Sequence, residues 1–163
     1  MKKMLSLALS ASMVLSLAAC GNNNNTDPSN AGSDSGAQHY TVGICQYVQH
    51  PALDQATEGF KAALTDMLGE GNVEFTEQNA NGDSPTCATI INGFVSSNVD
   101  LILANATLPL QTAAQATSTI PILGTSVTDY ATALEIDDWQ GATGINVSGT
   151  SDLAPIDEQA DML

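Results

Sequence analysis

Apolar residues occur along this chain in two spacings, as short continuous runs and as stripes three or four positions apart. The clearest unit covers residues 40–68, where an apolar run at residues 42–45 leads through a polar turn into a helical stripe. The stripe consists of Leu53, Ala56, Phe60, Ala63, Leu64 and Met67. Residues at this spacing share one helix face, so the unit predicts a strand, a loop and a helix. Pro51 suits the first helical turn, and Gly69 suits the cap after the last one.

The same unit recurs further along the chain. Two more helices are predicted, one after an N-cap at Ser84 and one over residues 108–116 after an N-cap at Thr107. The other predicted elements are strands at residues 73–78, 99–104, 120–123 and 142–147, a turn at residues 149–152 and a last helix at residues 155–163.

The predicted strands differ in how many of their faces are buried. Residues 73–78 alternate apolar and polar side chains, which is typical of a strand at the edge of a sheet. Residues 99–104 are almost continuously apolar, which indicates a central strand with both faces covered. Strands that alternate with helices through short loops favour an α/β fold, a doubly wound parallel sheet with helices on both faces.

The N-terminus has the features of a targeting segment. Two lysines precede a mostly apolar stretch at residues 4–17, and small residues lead up to Cys20. The sequence LAAC-G resembles a bacterial lipobox, which implies a lipoprotein signal peptide at residues 1–19 and diacylglycerol on Cys20. An ordinary secretory signal with a chance cysteine is the alternative. Residues 20–38 contain no large apolar side chain, so we expect a disordered tether between the lipid and the domain.

The charge of the chain limits its partners. The chain contains three Lys residues, no Arg, and 18 Asp and Glu residues, which gives a formal net charge of −15. Loss of the signal peptide would leave Lys61 as the one basic side chain. Nucleic acid and anionic lipid both attract clustered cations. We therefore predict no nucleic-acid partner, and contact with a membrane through the lipid anchor only.

Sequence motifs for nucleotide, metal or nucleophilic chemistry are missing. The chain has no GxGxxG and no P-loop, and His39 and His50 have no partners at workable spacing. We therefore predict no catalytic residue, no metal and no cofactor. Cys45 and Cys87 allow two interpretations, a disulfide formed outside the cytoplasm or two small core residues.

Neutral polar residues gather directly after the predicted strands. They are Gln46, Tyr47, Gln49 and His50 after the first strand, Asn79 and Asn81 after the second, Asn105 and Thr107 after the third, and Thr125, Ser126, Thr128 and Asp129 after the fourth. In a parallel sheet these loops share one edge, where ligands bind. The set suits a small polar ligand, whose carboxylate would use backbone N–H groups near Thr107 because the chain has no arginine. For any single residue, an ordinary cap or turn is the alternative.

An ordered series of short segments resembles one protein family. Gln49-His-Pro-Ala-Leu-Asp54, followed by Glu58-Gly-Phe60, looks like the signature of the tryptophan/tyrosine-type substrate-binding proteins of ABC transporters. Further matching segments lie at residues 77–83, 99–102, 104–107, 120–122, 127–129 and 147–152. Two positions depart from the pattern, since many relatives have Glu in place of Gln49 and Pro in place of Leu108.

The resemblance implies the N-terminal lobe of a type I periplasmic-binding-protein fold, in which two α/β lobes hold a ligand in the cleft between them. Ligand contacts in this family come from loops after strands, which makes the candidates Gln46, Asn105, Thr107, Thr125 and Ser126. The resemblance further implies an extracytoplasmic, lipid-anchored solute-binding component of an ABC importer. Its expected ligand is an amino acid or a similar small organic solute, and its expected partner is a membrane permease.

The sequence also predicts domain boundaries, and it leaves two alternative functions open. Residues 39–150 are expected to form the N-terminal lobe, and residues 151–163 are expected to cross into a second lobe that is missing from this chain. Little ligand affinity is then expected from the 163 residues alone. A sensory lipoprotein that presents the same kind of ligand to a receptor is one alternative. A lipid-anchored α/β enzyme is another, although no acid–base constellation supports it, so we predict that the protein is not an enzyme.

Overall fold

The computed structural model describes residues 38–154, 156–160 and 162. The predicted signal peptide, Cys20 and nearly all of the predicted tether lie outside the described residues, as do Pro155, Asp161 and Leu163 of the predicted last helix. Among the helices in the described ranges, none is long and apolar enough to cross a membrane.

Five strands in this part of the chain form one parallel sheet. They are β1 (Tyr40–Gln46), β2 (Val73–Asn79), β3 (Leu101–Asn105), β4 (Ile122–Val127) and β5 (Val147–Ser151). Their order is β2-β1-β3-β4-β5, and each neighbouring pair is parallel. β2 therefore lies at an edge of the sheet and β3 at its centre, as the alternating and continuous apolar patterns predicted.

The described helices follow the strands in turn. They are α1 (Pro51–Leu68), α2 (Ser84–Ser96), α3 (Thr107–Ala116), α4 (Tyr130–Ala133) and α5 (Ile156–Ala160). Pro51 lies in the first turn of α1, as predicted, and the cap residue before it is His50, whose Nδ1 accepts from the Ala52 N–H at 3.2 Å. Gly69 ends this helix with a φ of 91°, a conformation that glycine adopts without strain.

Each face of the sheet has its own core. Leu103 of β3 points towards α1, where it packs with Ile44 and Phe60. The neighbouring Ile102 points to the opposite face, where it packs in a larger cluster with Ile91 of α2. Successive strand residues point to opposite sides of a sheet, so one short strand anchors both layers. Helices on both faces confirm the predicted doubly wound α/β fold.

The two predicted N-caps of α2 and α3 are wrong by one residue. The cap of α2 is Asp83 rather than Ser84, because the Asp83 carboxylate accepts from the N–H and the hydroxyl of Thr86 at 2.8 and 2.6 Å. The cap of α3 is Ala106, and Thr107 is the first helical residue. A proline in the first turn fits either register, so the sequence did not distinguish them.

The fourth strand also differs from its predicted range, residues 120–123. β4 begins after Pro121, which has no N–H to donate to a ladder, although its carbonyl accepts from the Ile102 N–H at 3.0 Å. The strand then continues to Val127 through residues that lack an apolar pattern. Backbone pairing with β3, which reaches Thr125, extends it.

The fifth strand lies where a turn was predicted. β5 covers residues 147–151, whereas the pattern predicted a strand at residues 142–147 and a turn at residues 149–152. Its side chains beyond Val147 are exposed, so no apolar alternation marks it. The strand is defined instead by its pairing with β4. Gly149 permits this close approach, because a Cβ there would collide with the backbone of Gly124.

Candidate functional site

The C-terminal ends of three neighbouring strands lie side by side. In the sheet register, Gln46 of β1 is opposite Asn105 of β3, and Asn105 is opposite Thr125 of β4. Backbone hydrogen bonds continue this alignment, from the Tyr47 N–H to the Asn105 carbonyl at 3.2 Å and from the Ala106 N–H to the Thr125 carbonyl at 3.0 Å. We call these three residues, together with the two that follow each of them, the C-terminal edge.

Two residues of the C-terminal edge have a backbone conformation that L-residues rarely adopt. Ala106 has a φ of 111° and Ser126 a φ of 57°. Ala106 directly precedes α3, and Ser126 lies where the pairing of β4 with β5 shifts its register. Such conformations cost about 1–3 kcal/mol each and occur where surrounding contacts enforce them, often at ligand sites.

The start of α3 presents unpaired backbone donors at this edge. Thr107 is exposed, and the cap residue Ala106 makes no side-chain hydrogen bond to the helix. The first N–H groups of a helix have no partner within the helix, and the helix dipole makes them attractive to anions. The N–H groups of Thr107 and Leu108 can therefore receive a carboxylate without an arginine.

Two residues of the C-terminal edge, Gln46 and Asn105, belong to a buried network of polar side chains from three elements. Gln46, Thr57 and Asn105 are only 3%, 1% and 0% exposed. The Thr57 hydroxyl donates to Gln46 Oε1 at 2.9 Å, and Asn105 Nδ2 donates to Thr57 Oγ1 at 2.9 Å and to the Leu53 carbonyl at 2.8 Å. Gln46 Nε2 in turn donates to Asp54 Oδ1 at 2.6 Å. These hydrogen bonds connect β1, β3 and the first two turns of α1.

One acceptor in this network has no donor. Asn105 Oδ1 is buried and makes no hydrogen bond with any residue that the structure describes. An unpaired buried polar atom costs about 1–3 kcal/mol, so native proteins contain few of them. An unused acceptor thus lies buried at the C-terminal edge, on the residue before the strained Ala106.

The loop after β2 is attached to the same edge. The Ala80 N–H donates to the Gln46 carbonyl at 2.9 Å, and the Gly82 N–H donates to the Tyr47 carbonyl at 2.8 Å. The Tyr47 hydroxyl completes the attachment by donating to the Gly82 carbonyl at 3.0 Å. Within the loop, Asn79 Oδ1 accepts from the Asn81 N–H at 2.8 Å, so Asn79 stabilises a turn.

The structure brings all five predicted site residues to the C-terminal edge, at two depths. Gln46 and Asn105 are buried and hydrogen-bonded to the protein, an arrangement that supports the edge from below. Thr107 is exposed, and Thr125 and Ser126 are half-buried, so these three are accessible from outside. Direct contact of any of the five with a ligand stays a prediction.

A groove of about 350 Å³ extends from Thr125 across the face of the sheet that α1 partly covers. Its lining comprises Ala56, Phe60, Leu103, Leu123, Gly124, Thr125, Ser148, Gly149 and Thr150. A larger cavity of about 410 Å³ lies along β5 beside the exposed Trp139, and none of the predicted site residues lines it. Position at the ends of the strands therefore favours the C-terminal edge over the larger cavity as the ligand site.

Sequence reasoning missed two residues of the buried network, Asp54 and Thr57. Thr57 follows Leu53 by four positions and precedes Phe60 by three, so it interrupts the apolar stripe of α1 with a hydroxyl. A polar residue inside an apolar stripe is a signal that could have identified it. Asp54 gave no comparable signal, because an acid in the first turn of a helix is common.

Charged groups near the edge act as structural caps. The Asp129 carboxylate accepts from the Thr132 hydroxyl at 2.8 Å and from the Ala131 N–H at 2.9 Å. The bond from the Thr132 hydroxyl, followed by bonds from the N–H groups, holds the pKa of Asp129 below its ordinary value. Lys61 of α1 forms ion pairs with Glu77 of β2 at 3.0 Å and with Glu58 of α1 at 3.4 Å. In the described ranges, no group of three or more His, Cys, Asp or Glu residues could hold a metal ion.

Comparison with known proteins identifies the family. The sequence profile described as ABC transporter substrate binding protein matches residues 41–163. The tyrosine-binding protein of Clostridioides difficile (strain R20291) is 40% identical over 167 residues, which cover 99% of this chain and 48% of that protein. The chain thus spans about half the length of the curated relative that it matches.

Solved structures give the same assignment. The ligand-free, open structure of a substrate binding protein with adhesive properties from Clostridium difficile is 40% identical, with a TM-score of 0.69 over 76% of this chain and 42% of that one. An ABC domain in complex with L-Trp from Streptococcus pneumoniae is 29% identical, with a TM-score of 0.70 over 77% of this chain and 42% of that one. This chain therefore belongs to the family of ABC transporter substrate-binding proteins.

Proposed function

We propose that this chain supplies one lobe of an extracytoplasmic protein that binds an aromatic amino acid for an ABC importer. Family membership supports the class, and two relatives support the ligand, since one is named a tyrosine-binding protein and another was solved with L-Trp. The observation that carries the proposal within this chain is the uncapped start of α3 at the C-terminal edge.

The C-terminal edge offers groups for both charged ends of an amino acid. The ligand carboxylate would accept from the Thr107 and Leu108 N–H groups and from the Thr107 hydroxyl. The ligand ammonium needs acceptors, which the accessible hydroxyls of Thr125 and Ser126 can supply.

The remaining features of the proposal concern the rest of the protein. Residues 39–150 would form the N-terminal lobe, and residues 151–163 would lead towards a second lobe that covers the ligand's side chain. The relatives, of which this chain covers less than half, are long enough for such a lobe. A lipid on Cys20 would keep the protein at the outer face of the membrane, close to the permease that receives the ligand.

The test is a calorimetric titration of L-tyrosine and L-tryptophan into the complete gene product. Thr107→Ala is expected to weaken binding about ten-fold or more, because a hydrogen bond to a charged group contributes roughly 1.5–3 kcal/mol. Thr89→Ala is the matched control, since this exposed hydroxyl bonds to the Pro85 carbonyl within α2, away from the edge. We expect it to leave the dissociation constant unchanged.

Two results would contradict the proposal. Absence of binding for both aromatic amino acids in the folded protein would exclude this ligand class. Tight binding that Thr107→Ala leaves unaltered would place the ligand somewhere other than the start of α3. Glycine serves as the ligand control, because it carries both charged ends and lacks the aromatic side chain.

A further inference from the structure

Two thiols meet in the core directly behind the C-terminal edge. Cys45 is the residue before Gln46 at the end of β1, and Cys87 lies in the first turn of α2. Their Sγ atoms are 3.7 Å apart, and both residues are 0% exposed. Both belong to the core cluster between the sheet and α2, and both are unoxidised in this structure.

The separation is close to what a covalent bond requires. A disulfide has an S–S distance of about 2.05 Å, so closure needs the two sulfurs to approach by less than about 2 Å. The two residues are 42 positions apart, so the bond would enclose all of α1 and β2 in one covalent loop.

The compartment in which the family acts permits this bond. ABC transporter substrate-binding proteins are extracytoplasmic, and disulfides form and persist outside the cytoplasm. We propose that Cys45 and Cys87 form an intramolecular disulfide when this chain folds outside the cytoplasm. The inference rests on the location of the family and is independent of which ligand the protein binds.

The reaction is an exchange with a small disulfide such as oxidised glutathione. One cysteine thiolate attacks a glutathione sulfur and forms a mixed disulfide, which releases one reduced glutathione. The second cysteine then attacks the protein sulfur of that mixed disulfide and releases the second reduced glutathione. The two cysteines lose two protons and two electrons in total, and the glutathione disulfide gains them.

Burial dictates when the exchange can occur. Burial, together with the neighbouring Cys87, raises the pKa of the Cys45 thiol far above its ordinary value. Because the thiolate is the attacking species, the folded pair reacts slowly. The bond therefore forms during folding, before α2 seals against the sheet, and the same burial then shields it from reductants. It would fasten the start of α2 to the strand end that carries Gln46.

The experiment counts thiols in the full chain with Cys20→Ala, which removes the third cysteine. The reduced, unfolded protein is refolded in a mixture of oxidised and reduced glutathione, then denatured without reductant and treated with a maleimide. We expect no maleimide adduct and a mass lower by two hydrogens than that of the reduced chain. Reduction of the denatured chain should restore two adducts, and the chain refolded in the reduced state should have a Tm lower by on the order of 10 °C.

Matched variants separate the disulfide from other chemistry. Cys45→Ala and Cys87→Ala, each in the same background, leave one thiol that should react with maleimide or carry glutathione. The variant with both substitutions should show a Tm that does not respond to reductant. Two reactive thiols, or two bound glutathiones, in the chain with both cysteines would overturn the proposal. If the chain refolds poorly, the thiols are counted instead on protein that cells have secreted and that was never unfolded in vitro.

Discussion

Gly43 occupies a position in β1 where any side chain would collide with the core. A Cβ there would lie 2.5 Å from Cγ of Phe94, whose ring is buried. We expect Gly43→Ala to lower the free energy of unfolding by about 1–3 kcal/mol, because the tightly packed ring must shift. Urea denaturation measures this change. Gly59→Ala is the matched control, since nothing lies within 4 Å of a Cβ on that helical residue. The control should be neutral or stabilising, and equal losses in both variants would contradict the packing argument.

Thr57 provides the second test at the residue scale. Thr57→Val keeps the side chain's shape and removes the hydroxyl that bonds Gln46 Oε1 and Asn105 Nδ2. Two buried amides then lose a partner, so we expect the free energy of unfolding to fall by roughly 1–3 kcal/mol. Thr57→Ser keeps the hydroxyl and should lose only about 1 kcal/mol, for the missing methyl group. A valine variant as stable as the native protein would show that the network contributes nothing to stability.

Short elements in this fold depend on carboxylates that hold their ends. Asp83 caps α2, Asp129 caps α4, and Asp100 accepts from the N–H and the hydroxyl of Thr41 at 2.7 and 2.9 Å, which fastens the start of β3 to β1. For Asp83 and Asp129 the bond from a threonine hydroxyl lowers the pKa most, and for Asp100 the bond from the Thr41 N–H does.

These depressed pKa values predict a loss of stability in acid. Below the ordinary carboxyl value of 3.8, the unfolded chain binds more protons than the folded chain does, so stability rises with pH in that window. The contribution is complete above the ordinary value and is lost as the pH falls through the lowered values. We expect urea midpoints to decrease between about pH 4 and about pH 2.

A variant with Asn at all three positions isolates this effect from the general charge of the chain. Asparagine can still accept hydrogen bonds as a cap but does not titrate in this range. The stability difference between the native chain and the variant should therefore shrink as the pH falls below 3.8. A constant difference across the range would contradict the assignment of the lowered pKa values.

At the scale of the elements, sequence periodicity located β1, α1, β2, α2, β3 and α3 well, because each carries a distinct apolar pattern in its own sequence. The errors concern boundaries and the later strands. β4 and β5 extend through residues such as Thr125 and Gly149 whose side chains carry little pattern. Their extent depends on backbone pairing with a neighbouring strand, which the periodicity of one segment does not report.

For the whole molecule, the proposed anchor makes a prediction about attachment. Lipid on Cys20 should incorporate a labelled fatty acid in growing cells and keep the protein with membranes through a high-salt wash. Cys20→Ala should abolish the label, because no other residue at the processing site carries a thiol. Asn22→Ala, two residues further on, is the matched control and should label normally. Labelled Cys20→Ala protein would contradict lipid attachment at this cysteine.

The sequence by itself determined the α/β class, the edge and central strands, and the location of the polar residues at the ends of strands. Those features depend on local periodicity and on the rule that parallel strands end at one edge. Only the tertiary structure decided that Gln46 and Asn105 are buried at that edge while Thr107 stays exposed, and that Thr57 joins the buried pair. Burial and hydrogen bonding at these positions depend on residues as far as 59 positions apart in the chain, and a local pattern carries no information about such contacts.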